Sequence, residues 1–211
     1  MDRIVIRPVR TEDAPGMARL VDTYRAAHGG QVPDHVLDAV PLDQAVAESE
    51  HNWRRTIAEI AATPHPREQV FGAVEQLPDA PSPRVVGAGM GGPRGGSDEA
   101  LGPYAGEVST LYVAMTHQRR GVGRRLLCAI VRHLVDTDMP SVVVGSLTAN
   151  APARRFYEAT GGRAIHERTV DEGGVPLQET MYGWLPEDVS RLLRLLAAHA
   201  PGHGRPAERR S

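Results

Sequence analysis

EVSTLYVAMTHQRRGVGRRLLCAIVRHLV, residues 107–135, changes its hydrophobic period once. In its first part Val108, Leu111 and Val113 are the apolar positions of a strand expected over residues 104–115. Strict alternation would put Val108 on the face opposite Leu111 and Val113. A β-bulge near Ser109 or Thr110 restores one common face. In the second part Val122, Leu126, Leu127, Ile130, Val131, Leu134 and Val135 recur three and four residues apart, the period of a helix packed along one side. The following SVVVGSL, residues 141–147, is a near-continuous apolar run suited to a strand buried on both faces and parallel to its neighbour. The unit reads strand, loop, helix, strand, and its loop is QRRGVG.

Downstream, Asn150 stands at the start of a short helix with Pro152 in its first turn and Gly161-Gly162 at its end. Residues 163–171 and 176–184 flank Glu172-Gly173-Gly174, a sequence suited to a hairpin. Pro186 opens an amphipathic helix with Val189, Leu192, Leu193, Leu195 and Leu196. Upstream, residues 3–9 read as a first strand. A helix with Thr11 as its cap and Met17, Leu20, Val21 and Tyr24 as its stripe runs to Gly29-Gly30. Residues 31–48 read as a loop or broken helix, residues 47–63 as a helix, and residues 70–76 and 84–90 as a hairpin joined by LPDAPSP. Residues 91–103, rich in Gly and Pro, are expected to form a mobile loop. Residues 1–185 are thus expected to be one α/β domain, residues 186–200 a C-terminal helix, and residues 201–211 a disordered tail.

The 211 residues are 41% hydrophobic, enough for one core. A formal net charge of -2 offers no general attraction to nucleic acid or an anionic membrane. Cys128 is the single cysteine and lies in an apolar helical pattern, so it reads as a small buried hydrophobe in a reducing, cytoplasmic setting. The N-terminal residues lack the apolar stretch of a secretory signal, and no apolar run reaches membrane-spanning length. The histidines show no metal-ligand spacing, so no metal site is expected.

The loop Gln118, Arg119, Arg120, Gly121, Val122, Gly123 leads into a helix start, where unpaired N–H groups and the helix dipole favour an anion. Its glycines let a phosphate approach the backbone, and Arg119, Arg120 and Arg124 add positive charge, so a pyrophosphate suits it. A plain strand-to-helix turn with solvated arginines fits the same residues. The loop has no lysine, which excludes a P-loop. It lacks the third glycine and the later acidic residue of a dinucleotide-binding turn.

QRRGVG resembles the signature of the GNAT acetyltransferases: Gln or Arg, two residues, Gly, one residue, then Gly or Ala. The preceding LYVAMTHQ is similar to the end of that family's fourth strand, and NAPARRFYEATGG, with Asn150, Ala151, Arg154, Phe156, Tyr157 and Glu158, to its next block. The resemblance implies a mixed α/β fold of six or seven strands, antiparallel apart from a parallel contact between strands four and five, which splay apart. It implies acetyl-coenzyme A as cofactor. The pantetheine arm would meet the backbone of Leu111, Tyr112 and Val113, and an amide near Leu111 would polarise the thioester carbonyl. The pyrophosphate would meet residues 118–124, with Asn150 and Arg154 close to the cofactor.

On this resemblance Tyr157 is the acid that protonates the departing thiolate, or a hydroxyl that fixes the thioester. Glu107 is the base that frees the amine, or an exposed strand carboxylate. Asn150 binds the cofactor arm or a water, or simply caps its helix. The implied partner is a small-molecule or peptide amine, attacked directly in a ternary complex. An acyl-CoA-binding domain without turnover is the alternative. Tyr24 and Trp53 suit an acceptor pocket or the core. Glu167, Asp171, Glu172 and Glu179 suit the attraction of a cationic amine or a solvated face. The last helix suits intramolecular core, with a homodimer contact as its other use.

Overall fold

In the computed structural model, residues 4–76, 84–95 and 101–197 are described. They form one seven-stranded sheet in the order β1-β2-β3-β4-β5-β7-β6. β1 (Ile4–Pro8), β2 (Gln69–Glu75), β3 (Arg84–Pro93) and β4 (Gly106–Val113) pair antiparallel in sequence. β5 (Val142–Leu147) lies parallel to β4, and β7 (Val175–Trp184) joins it antiparallel to β6 (Arg163–Glu172). The parallel contact arises because the helix α5 (Val122–Asp136) carries the chain back across the sheet between β4 and β5.

Helices cover both faces. On one, α5 presents Leu127, Ile130, Val131 and Leu134 to Val108, Val142 and Val144, all almost fully buried. α7 (Pro186–Ala197) adds Val189, Leu192 and Leu196 to that core, with Leu193 partly buried against it and Leu195 exposed. Gly89 and Gly91 let α5 approach, since a Cβ on either would strike Ile130. On the other face α1 (Ala14–Ala18) and α4 (Leu42–Ala62) place Met17 and Ile57 against Val70, Val85 and Ala88. α2 (Val21–His28) continues this layer, and the single turn α3 (Asp34–Leu37) brings Val36 against Gly173 in the turn between β6 and β7.

Three expectations are corrected. Thr11 does not cap the first helix. Asp13 holds that bend instead, accepting from the Arg10 amide at 2.7 Å and from Arg7 at 2.7 and 2.9 Å, and the helix breaks into α1 and α2 at Arg19 and Leu20. α4 begins at Leu42 rather than Ala47, because its early turns are solvated and carry no apolar stripe to reveal them; Ile57 is its one buried residue. Gly91, Gly92 and Pro93 extend β3 instead of opening a loop, paired with Val108, Glu107 and Gly106. Residues 96–100 of the expected mobile loop, the turn 77–83 and the tail 201–211 lie outside the described residues.

Candidate active site

The bulge predicted in β4 is present at Ser109: Met90 pairs with Thr110 and Gly91 with Val108, which leaves Ser109 without a partner on β3. Val108 and Leu111 accordingly both face α5, while Thr110 and Tyr112 face α2. Pairing between β4 and β5 ends at the same level. It runs Gly106 to Val142, Glu107 to Val143 and Val108 to Val144, and the strands then separate. The ends of β4 and β5 therefore splay, leaving an opening in the middle of the sheet bounded by Ser109–Val113 side residues on one edge and Gly145, Ser146 and Leu147 on the other. A strand edge without a neighbour can pair with another extended chain.

The opening leads to the start of α5. Arg119 and Gly121 both adopt left-handed backbone, φ 60° and 80°, and Gly121 is the N-cap. The first α-helical bond beyond this turn runs from the Arg125 amide to Gly121 at 3.1 Å, so the amides of Val122, Gly123 and Arg124 precede the intrahelical ladder. No atom lies within 4 Å of a Cβ built on Gly121, which leaves its approach open. Gly123 faces Val113 and Phe156, whose atoms would lie 3.7 and 3.8 Å from such a Cβ. Arg119 and Arg120 are exposed, and the Gln118 side-chain Nε2 donates to the Val113 carbonyl at 3.0 Å, tying this turn to the end of β4. His117 is buried and anchors the same turn: its Nε2 lies 3.4 Å from Glu75 Oε1 and 3.5 Å from the Arg84 guanidinium.

Tyr157, on α6 (Ala151–Ala159), approaches the opening from the α5 side, packed against Tyr182 and Trp184 with ring centroids 5.7 and 6.3 Å away. Among the described residues its hydroxyl makes no hydrogen bond. Burial holds the phenol well above the usual tyrosine range, and the charge of Tyr112 across the opening adds to the shift. Tyr112 is itself pushed up to about 12 by burial and then by Glu172. Asn150 caps α6, accepting from the Ala153 amide at 3.2 Å. Arg154 donates to the Tyr182 hydroxyl at 3.1 Å and the Thr148 carbonyl at 3.0 Å, which commits its guanidinium to the β7 and β5 ends.

The opposite face carries the carboxylates. Glu107 pairs with Val143 and accepts from the Gly95 amide at 3.1 Å. Glu179 pairs with Leu147 and folds back over Gly145, where a Cβ would collide with its carboxylate. Its Oε2 accepts from Arg168 at 2.7 Å, and its side chain is only 17% exposed. The sequence gives no sign of that position, because it depends on Gly145 leaving room on a neighbouring strand. At the tip of the hairpin Glu172 accepts from the Tyr24 hydroxyl at 2.6 Å. Next to Tyr112 a cavity of about 190 Å³ is lined by Met17, Leu20, Val21, Trp53 and Ala88 together with the hydroxyl-bearing Tyr24, Ser49 and Thr110. Tyr24 and Trp53 thus both border the cavity. No cluster of metal-ligating side chains occurs among the described residues, and none of their helices is long and apolar enough to cross a membrane.

Residues 85–170 match the family model described as FR47-like protein. No curated protein sequence matches the chain. Several solved structures share its fold. The PaiA N-acetyltransferase of Thermoplasma acidophilum, in complex with coenzyme A, is 13% identical, with a TM-score of 0.61 over 86% of this chain and 99% of that one. YncA of Salmonella typhimurium, with its cofactor acetyl-CoA, is 18% identical, with a TM-score of 0.57 over 88% and 95%. A GCN5-related N-acetyltransferase of Rhodopseudomonas palustris is 18% identical, with a TM-score of 0.59 over 87% and 96%. At these identities the likeness is one of architecture, and its parallel β4–β5 pair, bulge and splay are what the GNAT resemblance implied. Residues 85–170 carry the FR47-like sequence pattern, and the chain as a whole has the GNAT acetyltransferase fold.

Proposed function

We propose that the protein transfers an acetyl group from acetyl-CoA to a primary amine. The observation that carries this reading is the end of β4–β5 pairing at Val108 and Val144, directly in line with a left-handed, unobstructed helix start at Gly121. The residues fit the cofactor. The β4 edge that β5 leaves at Leu111 to Val113, with the Val113 carbonyl already taken by Gln118, suits the amides of a pantetheine arm. The amides of residues 119–124, with Arg119, Arg120 and Arg124, suit a pyrophosphate. Asn150, whose Oδ1 caps α6, and Arg154, which donates to Tyr182 and Thr148, line the wall of the opening beside the cofactor arm.

When bound, acetyl-CoA supplies the activated acetyl thioester. The chain's own residues supply proton handling from two sides of the sheet. Tyr157 keeps its proton at neutral pH, because burial disfavours the phenolate, and can donate it to a leaving sulfur. The ammonium of the acceptor must lose one proton before its nitrogen can form the C–N bond, and Glu107 lies on the face from which the acceptor enters. The amine nitrogen loses a second proton as the amide forms. It balances the one given by Tyr157, and one proton is released per turnover. The acceptor attacks directly, without a covalent enzyme intermediate.

Calorimetry of the full chain with CoA and acetyl-CoA, followed by thiol release with a panel of amines, tests this. Binding with turnover on at least one amine is expected. Absence of binding to either CoA species would overturn the reading, and binding without turnover on any acceptor would favour an acyl-CoA-binding domain.

A further inference from the structure

Resting on the acetyl-transfer reading, we propose that the acceptor is a primary amine with a compact apolar substituent: its ammonium docks on Glu179, and its substituent fills the cavity beside Tyr112. Three observations converge. Glu179 lies on the face away from α5, because its pairing partner Leu147 alternates with Gly145 and Val143, and Val143 packs with Met181 and Leu101 on that side. Its carboxylate is held over Gly145, the first β5 residue past the last β4–β5 pair. A docked nitrogen would therefore stand at the mouth of the opening, opposite Tyr157.

The carboxylate is also half committed. Arg168 occupies Oε2 and fixes the group's orientation, while Oε1 has no hydrogen-bond partner among the described residues. A carboxylate oxygen that solvent reaches and no protein donor occupies is open to a cationic donor, and a charge-assisted N–H bond is the strongest available to it. Glu107 on the same face adds a further negative charge beside Glu179, so an acceptor bearing its own carboxylate next to the amine would be repelled.

The cavity sets the other half of the molecule. No Asp, Glu, Lys, Arg or His lines it, and it borders β4 at Thr110 and Tyr112, across the opening from Gly145. At about 190 Å³ it is smaller than the ~300–1,000 Å³ of most ligand pockets, which suits an aryl ring or a short branched alkyl group.

The test uses the full chain and three probe amines: phenethylamine, phenylalanine and ethylamine. With saturating acetyl-CoA, phenethylamine should exceed phenylalanine by about tenfold or more in kcat/KM. Glu179→Gln should raise the KM for phenethylamine by about tenfold or more and leave calorimetric binding of acetyl-CoA unchanged. Val21→Phe, which narrows the cavity, should raise KM for phenethylamine but not for ethylamine. Titration of phenethylamine into the CoA-saturated protein gives a readout independent of turnover and should weaken in Glu179→Gln. Equal use of phenylalanine and phenethylamine, or unchanged KM and binding in Glu179→Gln, would overturn the assignment. If CoA binds and phenethylamine does not, this assignment alone fails. If CoA itself does not bind, the acetyl-transfer reading fails with it.

Discussion

Tyr157 and Asp13 owe their behaviour to opposite uses of burial. For Tyr157, desolvation has no compensating cation, so the neutral phenol is favoured and its proton persists past the pH at which an exposed tyrosine ionises. Tyr157→Phe should lower kcat by about 10²–10⁴ while leaving acetyl-CoA affinity unaltered, as measured by steady-state kinetics and calorimetry. The wild-type rate should show no alkaline decline near pH 10 from this group. For Asp13, burial alone would raise the carboxyl, but the Arg7 guanidinium and the Arg10 amide outweigh it and bring it below the ordinary range. A lowered folded-state value stabilises the protein above the unfolded carboxylate value of about 3.9 and loses that contribution as the pH falls through the folded one. Asp13→Asn should cost roughly 2 kcal/mol at neutral pH, and less as pH drops below about 4, in urea titrations.

The element that most repays attention is the turn between β4 and α5. Gly121 sits at φ 80° with open space around it, so a side chain there strains the backbone and also fills the approach to the helix start. Gly121→Val should destabilise by about 1–2 kcal/mol and weaken CoA binding by about tenfold or more in calorimetry. Gly123→Ala is expected to be mild by comparison, since its Cβ would meet Val113 and Phe156 at ordinary contact distances. This turn, the bulge before it and the helix after it were legible from residues 107–135, because a change of hydrophobic period and a phase slip are local properties of the chain. The start of α4 was not, because its first turns bury nothing. The extension of β3 through Gly91, Gly92 and Pro93 was hidden because its support comes from residues 106–108 on β4.

Across the whole molecule, two layers of helices grip a sheet that is deliberately incomplete at its centre. The core on the α5 side extends from Val108 to the last helix, which supplies Val189, Leu192 and Leu196. Leu192→Ala should therefore cost about 2–5 kcal/mol in urea unfolding, although Leu192 lies far along the chain from β4. The tertiary arrangement sets Tyr157 on one side of the opening and Glu107 and Glu179 on the other, an ordering by sheet face that fits proton donation and amine entry from opposite directions. From sequence alone came the strand–turn–helix–strand unit, a bulge near Ser109 or Thr110 and the glycine-bearing helix start, each written in the spacing of residues a few positions apart. Only the tertiary structure decided that Glu179 folds over Gly145, that Tyr24 reaches Glu172, and that a small apolar cavity borders Tyr112. Those contacts join residues on separate strands and helices, and spacing along a chain carries no measure of distance across a sheet.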